Sequence, residues 1–320
     1  MILILTNKWD VTADFVVREL KKRGEPFIRL NTEDLVTEKV SISFPTRQIA
    51  ITHKGDLYDL LKTVSVVWNR RPGKPYDDLD DGNKPSSAVQ KYVNEQWYSW
   101  LESLMIVPNV TWVNHPSAND VMESKIRQLH LASDLGFQVP DTLISNDPEA
   151  INSFIGKHRN GVIAKALYSP LIEEPEQDFF IFTNRIDGIA AGDEDSVRVC
   201  PSIYQQALFQ KTDYRVTVIG KKLFSVRIDS GENQEVNLDW RTQKDGLEFK
   251  RCSIPDDIAD LCVKLVLEND LYFGAIDIVE HEGRFWFLEV NPNGEWGWLQ
   301  KPNGVPIAEA LCDLMISKRK

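Results

Sequence analysis

The chain has 320 residues, a formal net charge of −11 and a pI near 5.1, so its field repels a phosphate backbone and argues against a nucleic-acid partner. Its 42% hydrophobic and 27% charged content is that of a globular chain long enough for two or three lobes, and no run reaches the roughly eighteen apolar residues of a membrane span. Cys200, Cys252, Cys262 and Cys312 form no CxxC pair and are too sparse for a disulfide framework, which points to reduced thiols and a cytoplasmic setting.

In chain order, Met1–Leu5 has the pattern of a buried strand, Val11–Lys22 that of a helix ended by Gly24, and Pro26–Leu30 that of a second strand. This strand–helix–strand unit predicts a parallel α/β layer. Val40–Phe44 and Gln48–Thr52 read as a strand pair, and Val64–Asn69 as a buried strand closed by Arg70-Arg71-Pro72. Asp77–Pro85 is acidic and rich in turn residues, Ser86–Leu104 is a long helix, and Trp112–Asn114 is a short strand broken by His115-Pro116. A first domain is expected to end there, at about residue 115.

Ser117–Leu135 reads as one helix stopped by Gly136. Pro140–Ser145 and Gly161–Ala166 read as strands flanking a helix over residues 148–157. Ser169–Asp178 has the composition of a surface loop, and Phe179–Thr183 leads into a second acidic stretch, Asp187–Asp195. From Ser202 the pattern is mainly strand (Ser202–Gln206, Asp213–Ile219, Lys221–Arg227), followed by a helix over Pro255–Asn269 and a C-terminal helix over Val305–Ser317.

The sharpest chemical signal is the hairpin Gly274–Glu280 and Arg284–Val290 around His281-Glu282-Gly283. Glu289 and Asn291 are two apart on one strand and share a face. Pairing across a three-residue loop ending in Gly283 puts Asp277 opposite or diagonal to Glu289 on that face. Three oxygen ligands would converge there, the set Mg²⁺ takes when phosphate and water complete its octahedron. The five histidines are scattered and show no zinc spacing.

Glu289-Val-Asn291-Pro resembles the metal-binding end of the ATP-grasp fold. Asn114-His-Pro, Lys125, Gly136 and Val139-Pro140-Asp-Thr142 resemble its entry into the central domain, and Val162-Ile-Ala-Lys165 the strand whose lysine meets the ATP phosphates. Tyr204-Gln-Gln206-Ala-Leu resembles the adenine hinge, and Asp213-Tyr-Arg215-Val the strand after it. The resemblance runs from about residue 112 to the C-terminus. It implies an α/β (α+β) ATP-grasp fold with an N-terminal Rossmann-like domain over 1–115, a central subdomain or lid over 116–195, and a C-terminal subdomain with the metal site over 196–320.

The same resemblance implies ATP and Mg²⁺ as cofactors. It assigns Lys125, Lys165, Gln206, Ala207, Leu208 and Asp213 to nucleotide, Asp277, Glu289 and Asn291 to metal, and Arg215 and Arg241 to the developing acyl phosphate. One departure stands out: Leu167-Tyr-Ser-Pro-Leu-Ile-Glu-Glu-Pro-Glu contains no glycine where many members carry a Gly-rich loop over the phosphates, which shifts phosphate binding onto side chains and metal.

In the N-terminal third, Asn31-Thr-Glu-Asp34 and Val67-Trp68-Asn69-Arg70-Arg71-Pro72, with Asp239-Trp240-Arg241 later, resemble the maturases of microviridin-type peptides, the graspetides. That resemblance implies a precursor peptide, leader and core, as partner. Its Asp or Glu side chains would be phosphorylated and closed as ω-esters or ω-amides onto Ser, Thr or Lys. Arg70 and Arg71 would contact the peptide, or else pair with the acidic loop at Asp77–Asp81. Asp193, Glu194 and Asp195 would meet a cationic leader, or else form a solvated loop. A ligase of free amino acids or small acids, like the ribosomal-protein glutamate ligases, and a non-catalytic nucleotide-binding relative stay open, as does a homodimer.

Overall fold

Five consecutive buried side chains make β1 (Ile2–Thr6) a strand covered on both faces, the pattern of a central parallel strand. The computed structural model describes residues 1–168, 170–172, 179–229, 240, 246–301 and 303–319, the side chain of Asp81 excepted. Its contacts divide the chain into two units: Met1–Asn119 with Asp270–Phe273 and Asn293–Lys320, and Asp120–Asn269 with Gly274–Pro292.

In the first unit, β1 lies between β2 (Phe27–Asn31) and β6 (Val66–Asn69), with β7 (Thr111–Val113) beyond, every pair parallel. The crossover from β1 to β2 is α1 (Val11–Lys22), whose N-cap Asp10 accepts the Ala13 N–H at 3.1 Å, satisfying a donor the helix cannot pair itself. The expected pair β3 (Lys39–Ser43) and β4 (Gln48–His53) gains a third antiparallel strand, β5 (Asp56–Asp59), and α2 (Leu60–Thr63) follows. The long helix forms as α3 (Ser87–Glu102). Asn114 accepts the backbone N–H groups of Tyr272 and Phe273 at 2.7 and 2.9 Å and donates to the Phe273 carbonyl at 2.9 Å. A buried amide thus takes the place of a strand partner.

The single helix expected over Ser117–Leu135 is two helices, α4 (Pro116–Met122) and α5 (Lys125–Leu135). Ser124 breaks them because its hydroxyl accepts the Arg127 N–H and caps the second. Lys125 is therefore the first residue of a helix.

In the second unit, β8 (Thr142–Ser145), α6 (Pro148–Lys157), β9 (Val162–Lys165), β12 (Asn184–Ile186) and β13 (Ser202–Gln206) build an antiparallel sheet in the order β12-β9-β13-β8. Ile151, Val162 and Tyr204 are its buried centre. Between β9 and β12, β10 (Leu171–Ile172) pairs with β11 (Phe179–Phe180), all four side chains exposed. The short helix α7 (Glu194–Arg198) follows β12 and begins at the end of the acidic stretch.

A five-stranded sheet has the order β16-β15-β14-β17-β18: β14 (Thr212–Ile219), β15 (Lys222–Asp229), β16 (Glu248–Cys252), β17 (Phe273–His281) and β18 (Arg284–Asn291), with β14–β15, β15–β16 and β17–β18 antiparallel. Helix α8 (Asp256–Leu267) packs on β14, and α5 packs on β18. A Cβ on Gly274 would stand 2.7 Å from a Val266 methyl carbon, so a residue without a side chain lets α8 approach β17. In the first unit, α9 (Gly297–Gln300) and α10 (Ile307–Ser317) complete the chain, and α10 packs on α1. Among the described residues no helix is long and apolar enough to cross a membrane.

Candidate active site

The β17–β18 turn is tighter than the expected three-residue loop. His281 pairs directly with Arg284, and Glu282 and Gly283 alone make the loop, both with left-handed φ (50° and 72°). This is the twist a two-residue hairpin requires. Counting back from that turn, Ile278 pairs with Phe287, and an unbroken ladder would set Asp277 against Leu288. The register shifts here: Asp277 pairs with Glu289, leaving Leu288 as an extra residue. This β-bulge re-aims the strand and puts Glu289 on the face of Asp277. Asn291, opposite Ala275, stays on that face.

The side-chain ends converge. The Asn291 amide nitrogen lies 3.3 Å from Asp277 Oδ2 and 3.4 Å from Glu289 Oε1. Turning that amide exchanges its nitrogen for its oxygen and yields two carboxylates and a carbonyl within reach of one ion, a hard-oxygen donor set that fits Mg²⁺. Among the described residues no group of three or more His, Cys, Asp and Glu side chains gathers to hold a metal, so this pair of acids with an amide is the candidate centre. Arg215, on β14, places its guanidinium 3.3 Å from Asp277 Oδ2, with both side chains mostly buried.

A cleft of about 280 Å³ opens over this face, lined by Lys125, Lys165, Gln206, Leu208, Asp213, Asp277, Glu289 and Asn291 from the sequence-derived set. The Lys125 ammonium donates to the Ala166 carbonyl at 3.1 Å. Lys165, at the end of β9, donates to Gln205 Oε1 at 3.0 Å, and Gln205 in turn donates to Thr142 Oγ1 at 2.8 Å. The hinge is partly spent inside the protein: the Gln206 N–H goes to the Asp141 carbonyl at 2.9 Å and the Ala207 N–H to the Gly161 carbonyl at 3.0 Å. Backbone groups from Leu208 onward remain the better candidates for meeting a base.

Sequence reasoning missed Lys211, whose side chain is 8% exposed and whose ammonium sits 2.5 and 2.6 Å from the two oxygens of Asp213. The signal was available, because Lys211 is two residues before Asp213 in an extended segment and shares its face. Tyr168, Phe180, Ile181, Leu288 and Trp240 add an apolar lining. Arg241, expected at the developing acyl phosphate, and Asp239 of the same stretch lie outside the described residues.

The other expected residues fall elsewhere. Arg70 is 2% exposed. Its Nε is 3.3 Å from Asp10 Oδ2 and its Nη2 2.9 Å from Glu295 Oε1, and Nη1 donates to the Asn293 and Gly294 carbonyls. Burial lowers its pKa, and Asp10 and Glu295 oppose that shift. Arg71 is exposed and also meets Glu295, at 2.5 Å. Neither pairing is the expected one with the acidic loop: Asp78 of that loop pairs with Lys8 at 2.5 Å. Arg70 is thus committed to the interior, and only Arg71 offers its head group to solvent. Asp193 and Asp195 are exposed and Glu194 half-buried, with Arg198 bound to Asp195 at 3.2 Å. The four thiols are unpaired, and burial pushes those of Cys262 and Cys312 up to about 12, which leaves them poor nucleophiles.

Two carboxylates and an amide lie on one hairpin face beneath a cleft lined by Lys125 and Lys165, and the chain that carries them has the ATP-grasp fold. End to end, the chain is built like the ATP-grasp ligases of the graspetide-maturase type. The macrocyclase MdnC from Microcystis aeruginosa, solved with its precursor peptide MdnA, matches with a TM-score of 0.85 at 26% identity over 99% of both chains. A RiPP-associated ATP-grasp ligase from Chryseobacterium gregarium, solved with ADP and a leader and core peptide, matches with a TM-score of 0.85 at 27% identity, over 100% of this chain and 97% of that one. The tetrahydromethanopterin:alpha-L-glutamate ligase of Methanocaldococcus jannaschii is 30% identical over 86 residues, which span 28% of its length and 27% of this chain. No protein-family model matches the chain.

Proposed function

We propose that this chain is an ATP- and Mg²⁺-dependent peptide macrocyclase. It phosphorylates Asp or Glu side chains of a ribosomally made precursor and closes them as ω-esters or ω-amides onto Ser, Thr or Lys. The observation that carries this reading is the convergence of Asp277, Glu289 and Asn291 beneath a cleft lined by Lys125 and Lys165, in a chain whose whole length follows two enzymes solved with peptide.

Asp277, Glu289 and Asn291 would hold the metal, which when bound neutralises phosphate charge. Lys125 and Lys165 carry compact positive charge to the phosphate oxygens, and the segment from Leu208 meets the base. A carboxylate oxygen of the peptide attacks the γ-phosphorus, the bond to the β-phosphate oxygen breaks, and ADP leaves. The Ser, Thr or Lys nucleophile then attacks the carbonyl carbon of the acyl phosphate, loses its proton, and inorganic phosphate departs. Arg215, whose guanidinium lies 3.3 Å from Asp277 Oδ2, would steady the oxyanion of that second step. Arg241, outside the described residues, keeps only the role the resemblance implies, toward the developing acyl phosphate. In the same reading residues 1–115, 116–195 and 196–320 act as pre-grasp domain, lid and metal-bearing subdomain. Arg71 and Asp193–Asp195 contact the peptide, and the enzyme works in the cytoplasm, where its free thiols stay reduced.

The test is incubation with ATP, Mg²⁺ and a candidate precursor, reading peptide mass and nucleotide together. The expected result is loss of one water per ring with ADP and phosphate formed in step. AMP as the product would remove the acyl phosphate route, and ADP formed with a small acid consumed and no peptide change would move the substrate to free acids.

A further inference from the structure

Strand β18 is the last strand of its sheet among the described residues. On its inner side Val290 pairs in register with Ile276. Its N–H and C=O turn outward, where a further strand would normally receive them, and one side chain takes both. Gln128 Oε1 accepts the Val290 N–H at 2.9 Å, and Gln128 Nε2 donates to the Val290 carbonyl at 2.8 Å. The second Nε2 proton goes to the Met122 carbonyl at 2.6 Å, at the end of α4. Every hydrogen-bonding position of this amide except one oxygen lone pair is thereby used. Gln128 is 3% exposed, Val290 1% and Met122 0%, so water cannot substitute for any of these contacts.

Val290 is the residue between Glu289 and Asn291. Gln128 lies on α5, one turn after Lys125, whose ammonium reaches the Ala166 carbonyl just beyond Lys165. We propose that Gln128 is a positioning residue: it locks the backbone between the two metal ligands of β18 and ties that backbone to the helix carrying Lys125. The inference rests on the metal reading of Asp277, Glu289 and Asn291. Without this clamp nothing among the described residues replaces a neighbouring strand on the outer side of β18 at that point, and Glu289 and Asn291 lose the fixed spacing at which their oxygens meet one ion. Ligands held less firmly bind metal less tightly; the loss of an orienting partner typically weakens binding about 10- to 100-fold.

The experiment has a part that needs no variant. In the wild-type protein the Val290 amide should exchange with deuterium as slowly as amides inside the sheet, although it points away from the neighbouring strand; fast exchange overturns the proposal. The second part titrates Mg²⁺ against thermal stabilisation by the ATP analogue AMPPNP in Gln128→Leu, and in Gln128→Glu, which keeps the length but loses both donated bonds. The half-saturating Mg²⁺ concentration should rise about tenfold in each. Cys262→Ala, buried in α8, serves as the control for lowered stability and should keep the parental Mg²⁺ dependence. A parental value in either Gln128 variant that folds, or an equal shift in the control, overturns the proposal. Glu289→Gln run alongside separates the two readings. If it too keeps parental Mg²⁺ dependence, the metal assignment itself is wrong; if it alone shifts, the metal stands and Gln128 is only structural.

Discussion

Asp277 faces Glu289 across the hairpin because Leu288 is one residue too many on the second strand. The turn by itself would have set Asp277 against Leu288. The bulge gives both acids one face, and this relationship makes the first expectation specific. Glu289→Gln keeps the shape and the hairpin but removes a ligand charge. Turnover should fall on the order of a hundredfold, the scale seen when one fixed electrostatic partner of a transition state is lost, with an unchanged circular dichroism spectrum. Parental rates of ADP release would disprove the assignment.

Lys165→Ala removes the ammonium that lines the cleft at the end of β9. Hydrogen bonds to a charged group contribute about 1.5–3 kcal/mol, so AMPPNP should bind at least about tenfold more weakly. Calorimetric titration checks this, and equal affinity would leave Lys165 as a partner of Gln205 and nothing more.

Reversing the charges of Asp193, Glu194 and Asp195 to Lys should weaken precursor binding and leave AMPPNP affinity as it was. The contrast is largest at low salt, where exposed charges are least screened. Peptide affinity that does not change, measured by fluorescence anisotropy in low-salt buffer, would return this segment to the role of a solvated surface.

Arg70 and Arg71 are neighbours in sequence with opposite energetic weight. Arg70→Ala leaves Asp10 buried without its cation and should cost about 3–5 kcal/mol. Arg71→Ala breaks an exposed pair worth about 1 kcal/mol or less. Urea unfolding of the two variants distinguishes them, and equal midpoints would contradict the burial argument.

The parallel layer, the hairpin that brings Asp277, Glu289 and Asn291 together, and the strand ending in Lys165 were legible because each is a local pattern: a run of five apolar residues, an acid and an amide two apart, a lysine closing an apolar stretch. Features that depend on counting across a turn were not. A loop ending in Gly283 suits two residues or three, and nothing local to Leu288 announces a bulge. Ser124 hid inside a helical pattern because its neighbours still follow helical spacing on either side. Arg70 points in sequence to the peptide or to the acidic loop at Asp77–Asp81, because its actual partners, Asp10 and Glu295, lie 60 and 225 positions away and cannot be paired with it by inspection. Lys211 is legible in principle, two places before Asp213 on the same face, although a single lysine flanking a strand carries no motif of its own.

The outer rim of β18 has a further consequence for how the molecule keeps to itself. A strand with unspent ladder groups recruits other chains. Here Gln128 occupies Val290, and the Gln138 carbonyl accepts the Phe287 N–H at 2.8 Å, so two glutamines from elsewhere in the chain seal that rim. The opposite rim, β16, is guarded by charge instead, with Lys250 held between Asp229 and Glu248. A variant stripped of Gln128 would leave the Val290 N–H and carbonyl buried without partners, so any local opening of α5 from β18 would bare a strand edge able to pair with another chain.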